Sequence, residues 1–95
     1  MQVGLCEISL RLPGNRSLKG KRHVVRSIVD RVTQRFRTNI AEVDGQEEHD
    51  LIVLGFAVVG NDPVLLDSRI RSILEFIDDL CLAVYTDHQQ EIIEW

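Results

Sequence analysis

The segment that most restricts the fold is Asp50–Val59, in which every residue after the aspartate is apolar or glycine. It is about half as long as a membrane-spanning helix, which needs about 20 apolar residues. Both of its alternating sets of side chains are apolar, which is typical of a strand in the interior of a sheet. We therefore predict a central strand here, with a paired strand on each side of it.

The residues before this strand predict a first strand, a helix and a short second strand. Apolar and polar side chains alternate along Gln2–Leu12, which indicates a strand. Ser17 is the predicted N-cap of a long helix, because its hydroxyl can accept a hydrogen bond from the first turn. The helix ends before Thr38-Asn39, and Ile40–Val43 then forms a short strand.

The residues after the central strand predict a second helix and a last strand. Asp62 is a predicted N-cap, and Pro63 takes the first helical position, where proline is favoured. Apolar residues at helical spacing continue to about Leu80. Apolar residues then return in two pieces, Leu82–Tyr85 and Glu91–Trp95, so we predict a last strand interrupted by a polar stretch.

Together these elements predict one α+β domain over residues 1–95. The order β-α-β-β-α-β is that of the ferredoxin-like, or split βαβ, fold. Right-handed crossovers place both helices on one face of a four-stranded antiparallel sheet, with the first and third strands in the centre. The second and fourth strands are then the edges.

Charge is distributed unevenly along the chain. Residues 1–37 hold nine Lys or Arg and two Asp or Glu, whereas residues 38–95 hold two Lys or Arg and 13 Asp or Glu. The resulting balances of +7 and −11 give the net charge of −4. A protein that is acidic overall can therefore present a basic surface to a polyanion, or its positive and negative faces can meet in a dimer.

The cysteines and the first residues predict a cytoplasmic protein that does not enter a membrane. Cys6 and Cys81 each lie in an apolar run and form no Cys-x-x-Cys motif, so we expect two buried, reduced thiols. Met1–Gly4 carries no basic leader followed by an apolar segment. No apolar run has the length of a membrane span.

Several short motifs along the chain occur together in one family. The combination resembles the YlxP-like family of small bacterial proteins of unknown function. This resemblance implies a ferredoxin-like fold, a bacterial cytoplasmic setting and no known reaction. Members are often encoded beside translation and ribosome-maturation factors, which implies a link with RNA or the ribosome. The motifs are Ser17-Leu18-Lys19 with Lys21-Arg22, Ala41-Glu42-Val43-Asp44, Leu54-Gly55, Ala57-Val58-Val59 and Glu94-Trp95.

The main candidate site is the start of the first helix together with the loop before it. A helix N-terminus attracts anions and disfavours nearby Lys and Arg. Basic residues are nevertheless concentrated at this end of the helix. This predicts a non-enzymatic module that binds RNA or a ribosome-associated partner. Alternatively, these side chains pair with the acidic half of the chain. The residues of this predicted anion- and RNA-binding surface are Arg16, Ser17, Lys19, Lys21, Arg22 and Arg26.

The outer face of the sheet is a second candidate site, because either alternating set of the central strand leaves apolar side chains there. An uncovered apolar face predicts a homodimer that serves as an interaction scaffold, unless the last segment of the chain folds over it. We predict that Val3, Leu5, Phe56 and Trp95 take part, and that a polar residue at Phe56 abolishes assembly.

A catalytic role has less support from the residues. Acylphosphatases share this size and fold and hold a phosphate in the loop that Gly14–Arg16 would occupy, but their loop motif is absent. Hydrolysis of a small phosphate ester is therefore a third hypothesis, by fold analogy. Glu42 and Asp44 share a strand face and His49 follows, yet their spacing matches no metal site. We expect no catalytic residue, metal or cofactor.

Overall fold

The computed structural model describes all of residues 1–95 and contains four strands and two helices. The strands pair antiparallel in the order β2-β3-β1-β4, so β1 and β3 are central. This confirms the predicted ferredoxin-like α+β fold. The elements are β1 (Gln2–Arg11), α1 (Leu18–Phe36), β2 (Ile40–Asp44), β3 (Leu51–Gly60), α2 (Pro63–Leu80) and β4 (Val84–Glu94).

The helices begin at the two predicted caps. The Ser17 hydroxyl accepts a hydrogen bond from the Gly20 N–H at 3.0 Å, and the Asp62 carboxylate accepts one from the Val64 N–H at 2.9 Å. Each interaction satisfies an N–H of a first turn, which has no partner within the helix. Both helix starts are therefore fixed by local chemistry that the sequence contains.

The core lies between the two helices and one face of the sheet. On β3, the set that begins with Ile52 and includes Phe56 is buried there, and Phe56 is only 6% exposed. The other set faces away from the helices, and its member Val59 is 64% exposed. Because both helices pack on the same side of the sheet, the outer face of β3 is uncovered in a single chain.

The last strand is continuous, and the predicted interruption is wrong. Ser9 pairs with Asp87 and Leu10 pairs with Tyr85, so Thr86 is an extra residue that forms a bulge. The Thr86 hydroxyl donates to the Ser9 carbonyl at 3.1 Å. The apolar pattern fails here because an edge strand with two largely exposed faces does not need it. No helix in the structure has the length and apolarity required to cross a membrane.

The two thiols differ in environment. Cys6 is buried in the core, whereas Cys81, at the end of α2, is exposed, which corrects the prediction of two buried thiols. Burial, and secondarily the negative charge of Glu7, raises the pKa of the Cys6 thiol to about 11. At neutral pH this thiol therefore has almost no reactive thiolate.

We expect one thiol of the folded protein to react readily with a disulfide reagent at pH 8. That thiol is Cys81, and Cys6 reacts only after denaturation because it is both buried and protonated. Absorbance of the released chromophore, with and without denaturant, measures the two fractions. Cys81→Ser should abolish the fast reaction; a fast reaction that persists in this variant would show that Cys6 is accessible.

Candidate nucleic-acid interface

The loop between β1 and α1 is attached to the loop between β2 and β3. The Asn15 side-chain amide donates to the Ser17 carbonyl at 2.8 Å and to the His49 carbonyl. In return, His49 Nδ1 lies 3.0 Å from the Asn15 carbonyl oxygen. The Asn15 amide occupies space that a side chain at Gly20 would need, so glycine in the first turn of α1 permits this contact. The start of α1 therefore has a fixed position relative to the second loop.

Lys21 lies beneath this second loop and is 1% exposed. Its ammonium contacts the Gly45 carbonyl at 2.8 Å, the Gln46 carbonyl at 3.1 Å and the Leu51 carbonyl at 3.3 Å. It also forms a salt bridge of 2.9 Å with Glu42, a carboxylate that is itself only 20% exposed. All three N–H donors of the ammonium can therefore be satisfied within the chain.

The prediction that Lys21 belongs to the anion-binding surface is therefore wrong. Its place in the helix explains why, since Lys21 precedes Val25, Ile28 and Val32 on the stripe of α1 that faces the core. Two of the motifs noted above, the one with Lys21 and the one with Glu42, meet in this buried pair. Those motifs consequently specify the folding of the β2–β3 loop.

The remaining predicted cations stay on the surface. Arg16, Lys19, Arg22 and Arg26 are exposed, and none of the four side chains makes an ion pair or hydrogen bond within the chain. Lys19, Arg22 and Arg26 follow one another at spacings of three and four residues, which places them on one side of α1. We call these four residues the α1 cationic surface; Arg16 lies in the loop just before the helix, and the exposed Asp30 follows Arg26 by one turn.

Three other basic residues of the N-terminal segment have partners within the chain. Arg35 lies against the rings of Phe36 and Phe76, at 5.8 and 5.3 Å from their centroids. Arg31 donates to the Ser27 hydroxyl at 3.2 Å, and Arg11 lies 3.9 Å from Asp50. The α1 cationic surface therefore differs from these residues in having no partners. Arg37, the C-cap of α1, is also exposed without a side-chain partner, but it lies at the opposite end of the helix.

Two other groups of residues considered in the sequence analysis have separate contacts in the structure. Glu42 is paired with Lys21, and His49 contacts Asn15, so Asp44 is not joined by either in a shared cluster. In the loop that the hydrolase hypothesis requires, Arg16 is exposed, but the Asn15 amide is directed to backbone carbonyls. The Asn15 amide is thus occupied in holding this loop to the β2–β3 loop.

The outer sheet face contains three of the four residues predicted for self-association. Val3 and Leu5 lie on it, and strand alternation places Trp95 there as well, because Trp95 pairs with Met1 across the sheet. Phe56 lies on the opposite face, in the core, and is a wrong prediction. Val59, which pairs with Val3, is the exposed β3 residue that the sequence prediction missed.

Comparisons with known proteins give a family and a fold. The model of a family described as "Protein of unknown function (DUF503)" matches residues 3–90. The chain is 30% identical over 76 residues to Uncharacterized protein YlxP of Bacillus subtilis (strain 168). This match covers 80% of this chain and 83% of that protein.

Two solved structures share the architecture at low sequence identity. A REP-associated tyrosine transposase bound to a REP hairpin is 14% identical with a TM-score of 0.52; the match covers 97% of this chain and 56% of the transposase chain. A dimeric protein of unknown function with a ferredoxin-like fold, from Bacteroides fragilis NCTC 9343, is 12% identical with a TM-score of 0.45, covering 99% of this chain and 96% of that one. The likeness to the transposase concerns the fold alone.

Proposed function

This chain belongs to the DUF503 family of proteins of unknown function, and on that premise we propose that it is a non-enzymatic module that binds RNA, free or in ribosomal particles, through the α1 cationic surface. The observation that carries the proposal is the absence of intramolecular partners for Arg16, Lys19, Arg22 and Arg26. By contrast, Lys21 in the same segment has a structural role, because its ammonium is buried and fully paired within the chain.

The position of these charges supports an anionic ligand. Lys and Arg near a helix N-terminus cost a few tenths of a kcal/mol each, because they oppose the helix dipole. A bound phosphate reverses this effect, since it interacts favourably with both the dipole and the side chains. Arg16, Lys19 and Arg22 lie at the start of α1, and Arg26 follows one turn further along the helix. This arrangement is suited to a polyanion.

The distribution of negative charge supports a defined orientation. Glu7, Asp44 and Asp87 line a depression on the outer sheet face, on the side of the sheet opposite the helices. This side is unfavourable for phosphates, whereas α1, on the opposite side, carries six Lys or Arg and one Asp. A polyanion is therefore steered towards α1 despite the net charge of −4.

The aromatic residues support contact with the RNA backbone over contact with bases. Specific reading of single-stranded RNA depends on exposed aromatic rings that stack on bases. Phe56, the aromatic residue of the central strand, is in the core, and α1 carries only Phe36, in its last turn. Trp95 is 85% exposed, but it lies on the outer sheet face, on the side of the sheet opposite α1. The transposase of similar fold is bound to a hairpin, but the proposal for this chain depends on its own charges.

Binding of a fluorescently labelled RNA hairpin, measured by anisotropy over a salt series, tests the proposal. With about four phosphates neutralised, log K should fall with log salt at a slope near −3. Arg22→Gln and Arg26→Gln should each weaken binding and reduce the slope by about 0.7–0.9, because each removes one phosphate contact.

Arg71→Gln is the matched control, because Arg71 is an exposed arginine on α2 that already pairs with Asp67 at 2.6 Å. Its removal should leave the affinity and the slope unchanged. Neutralising Glu47 and Glu48, which lie in the loop attached to Asn15, should instead strengthen binding. No RNA binding at low salt, or equal losses in Arg22→Gln and Arg71→Gln, would refute the proposal.

A further inference from the structure

The outer face of the sheet carries an uncovered apolar row. Val3 pairs with Val59 on one side and with Ile93 on the other, so these three side chains lie side by side on this face. Trp95, two residues beyond Ile93, is 85% exposed and is the largest apolar side chain on the surface. Monomeric proteins seldom expose contiguous apolar patches of several hundred square ångströms.

A groove of about 550 Å³ crosses the same face next to this row. The small residues Gly55 and Ala57 form the floor of the groove, and Leu5 and Val43 contribute apolar walls. A Cβ at Gly55 would meet the Val43 side chain at 2.9 Å, so glycine is required for the present floor. The groove has room for an indole ring but no aromatic side chain of the same chain lines it apart from Phe56 beneath the floor.

We propose that a second copy of this chain covers the face, and that Trp95 of each copy inserts into the groove of the other. Trp95 lies at the level of Met1 along the strands, and the groove lies at the level of Leu5. A two-fold axis that runs perpendicular to the strands, between the two sheets and at the level of Val3, places Trp95 of each copy at the level of Leu5 of the other. The interface is then isologous, as in most homodimers, and the row of Val3, Val59 and Ile93 packs against its own copy.

The charges on the face favour this placement of the axis. Glu7 lines the far end of the groove and Asp87 lies beyond it, so neither carboxylate meets its own copy when the axis passes through Val3. Packing centred on the middle of the sheet would instead bring the acidic side chains of the two copies together. The apolar end is therefore the part of this face that can meet itself without repulsion.

The area and the polar groups also fit a second copy. Covering the exposed parts of Met1, Leu5, Val59 and Trp95 in both copies removes on the order of 1,000 Å² from water, the lower bound for a specific interface. An indole needs an acceptor for its N–H when it is buried. Glu91, which pairs with Leu5 and lies on the groove wall, provides side-chain oxygens at that level.

Trp95 is the only tryptophan, so its fluorescence reports directly on this interface. We expect analytical ultracentrifugation to show a monomer–dimer equilibrium, and the emission of Trp95 to shift to shorter wavelength over the same concentration range. Ala57→Glu fills the groove while keeping the reporter. It should raise the dimer dissociation constant at least about thirty-fold and leave Trp95 emission at the wavelength of a solvated indole.

Leu65→Glu is the control. Leu65 is 66% exposed, much like Val59, but it lies on α2, on the other side of the sheet. It should leave both the dimer and the emission shift unchanged, and circular dichroism confirms that each variant is folded. A monomer at every soluble concentration would overturn the proposal. A dimer that Ala57→Glu does not weaken, or one that forms without a shift in emission, would also overturn it.

Discussion

Replacing Lys21 with methionine should lower the free energy of unfolding by about 3–5 kcal/mol. Methionine preserves the length of the apolar stem but removes the ammonium, so Glu42 becomes a largely buried carboxylate without its cation. The Gly45, Gln46 and Leu51 carbonyls lose a donor at the same time. Small domains are stable by only about 5–15 kcal/mol, so this loss takes a large part of the total.

Urea unfolding followed by circular dichroism measures the effect. Lys19→Met is the matched control, because Lys19 lies two residues away in the same helix turn and is exposed without a partner. It should leave the urea midpoint almost unchanged while weakening RNA binding. Equal stability of Lys21→Met and the parent protein would contradict the structural role assigned to the buried ammonium.

The contrast between these two lysines shows what sequence analysis missed. Both lie in one basic cluster, and a charge count treats them alike. Helical spacing separates them, because Lys21 lies on the stripe that continues through Val25 and Ile28, whereas Lys19 lies off it. A lysine on an apolar stripe needs a buried acceptor, and Glu42 could not be identified as that acceptor without the pairing of β2 with β3.

The helix starts were predictable because they depend on contacts within three residues. Ser17 accepts from Gly20, and Asp62 accepts from Val64, so the sequence contains both partners of each cap. The attachment of Asn15 to His49 spans 34 residues, and only the folded loops bring them together. Local chemistry therefore fixed the elements, while the details of the site depended on tertiary contacts.

The sequence did not determine which side chains of β3 point towards the helices, and the reason is different. Both of its alternating sets are apolar, so periodicity does not decide which one meets the helices. Side-chain size was the available signal, because the outer set includes Gly55 and Ala57 while the inner set holds Leu54 and Phe56. A close-packed core requires the larger side chains, and a flat outer face tolerates the small ones.

Phe56→Ala should therefore destabilise the fold by about 3–5 kcal/mol, the usual cost of removing a buried phenylalanine. The ring lies within the core, only 6% exposed, and its removal leaves a cavity that the surrounding β-sheet fills incompletely. The urea midpoint should fall at protein concentrations where the chain is monomeric. The earlier expectation that a polar residue at Phe56 tests assembly is thus replaced, because such a variant loses its fold first.

Val59→Thr separates the two effects, because Val59 lies on the same strand but is 64% exposed on the outer face. Threonine keeps the shape and β-branching of valine, so the urea midpoint of the monomer should change little. The added hydroxyl falls in the apolar row that the proposed dimer buries, so self-association should weaken. If Phe56→Ala left the midpoint unchanged and Val59→Thr lowered it strongly, the two faces of β3 would have been assigned the wrong way round.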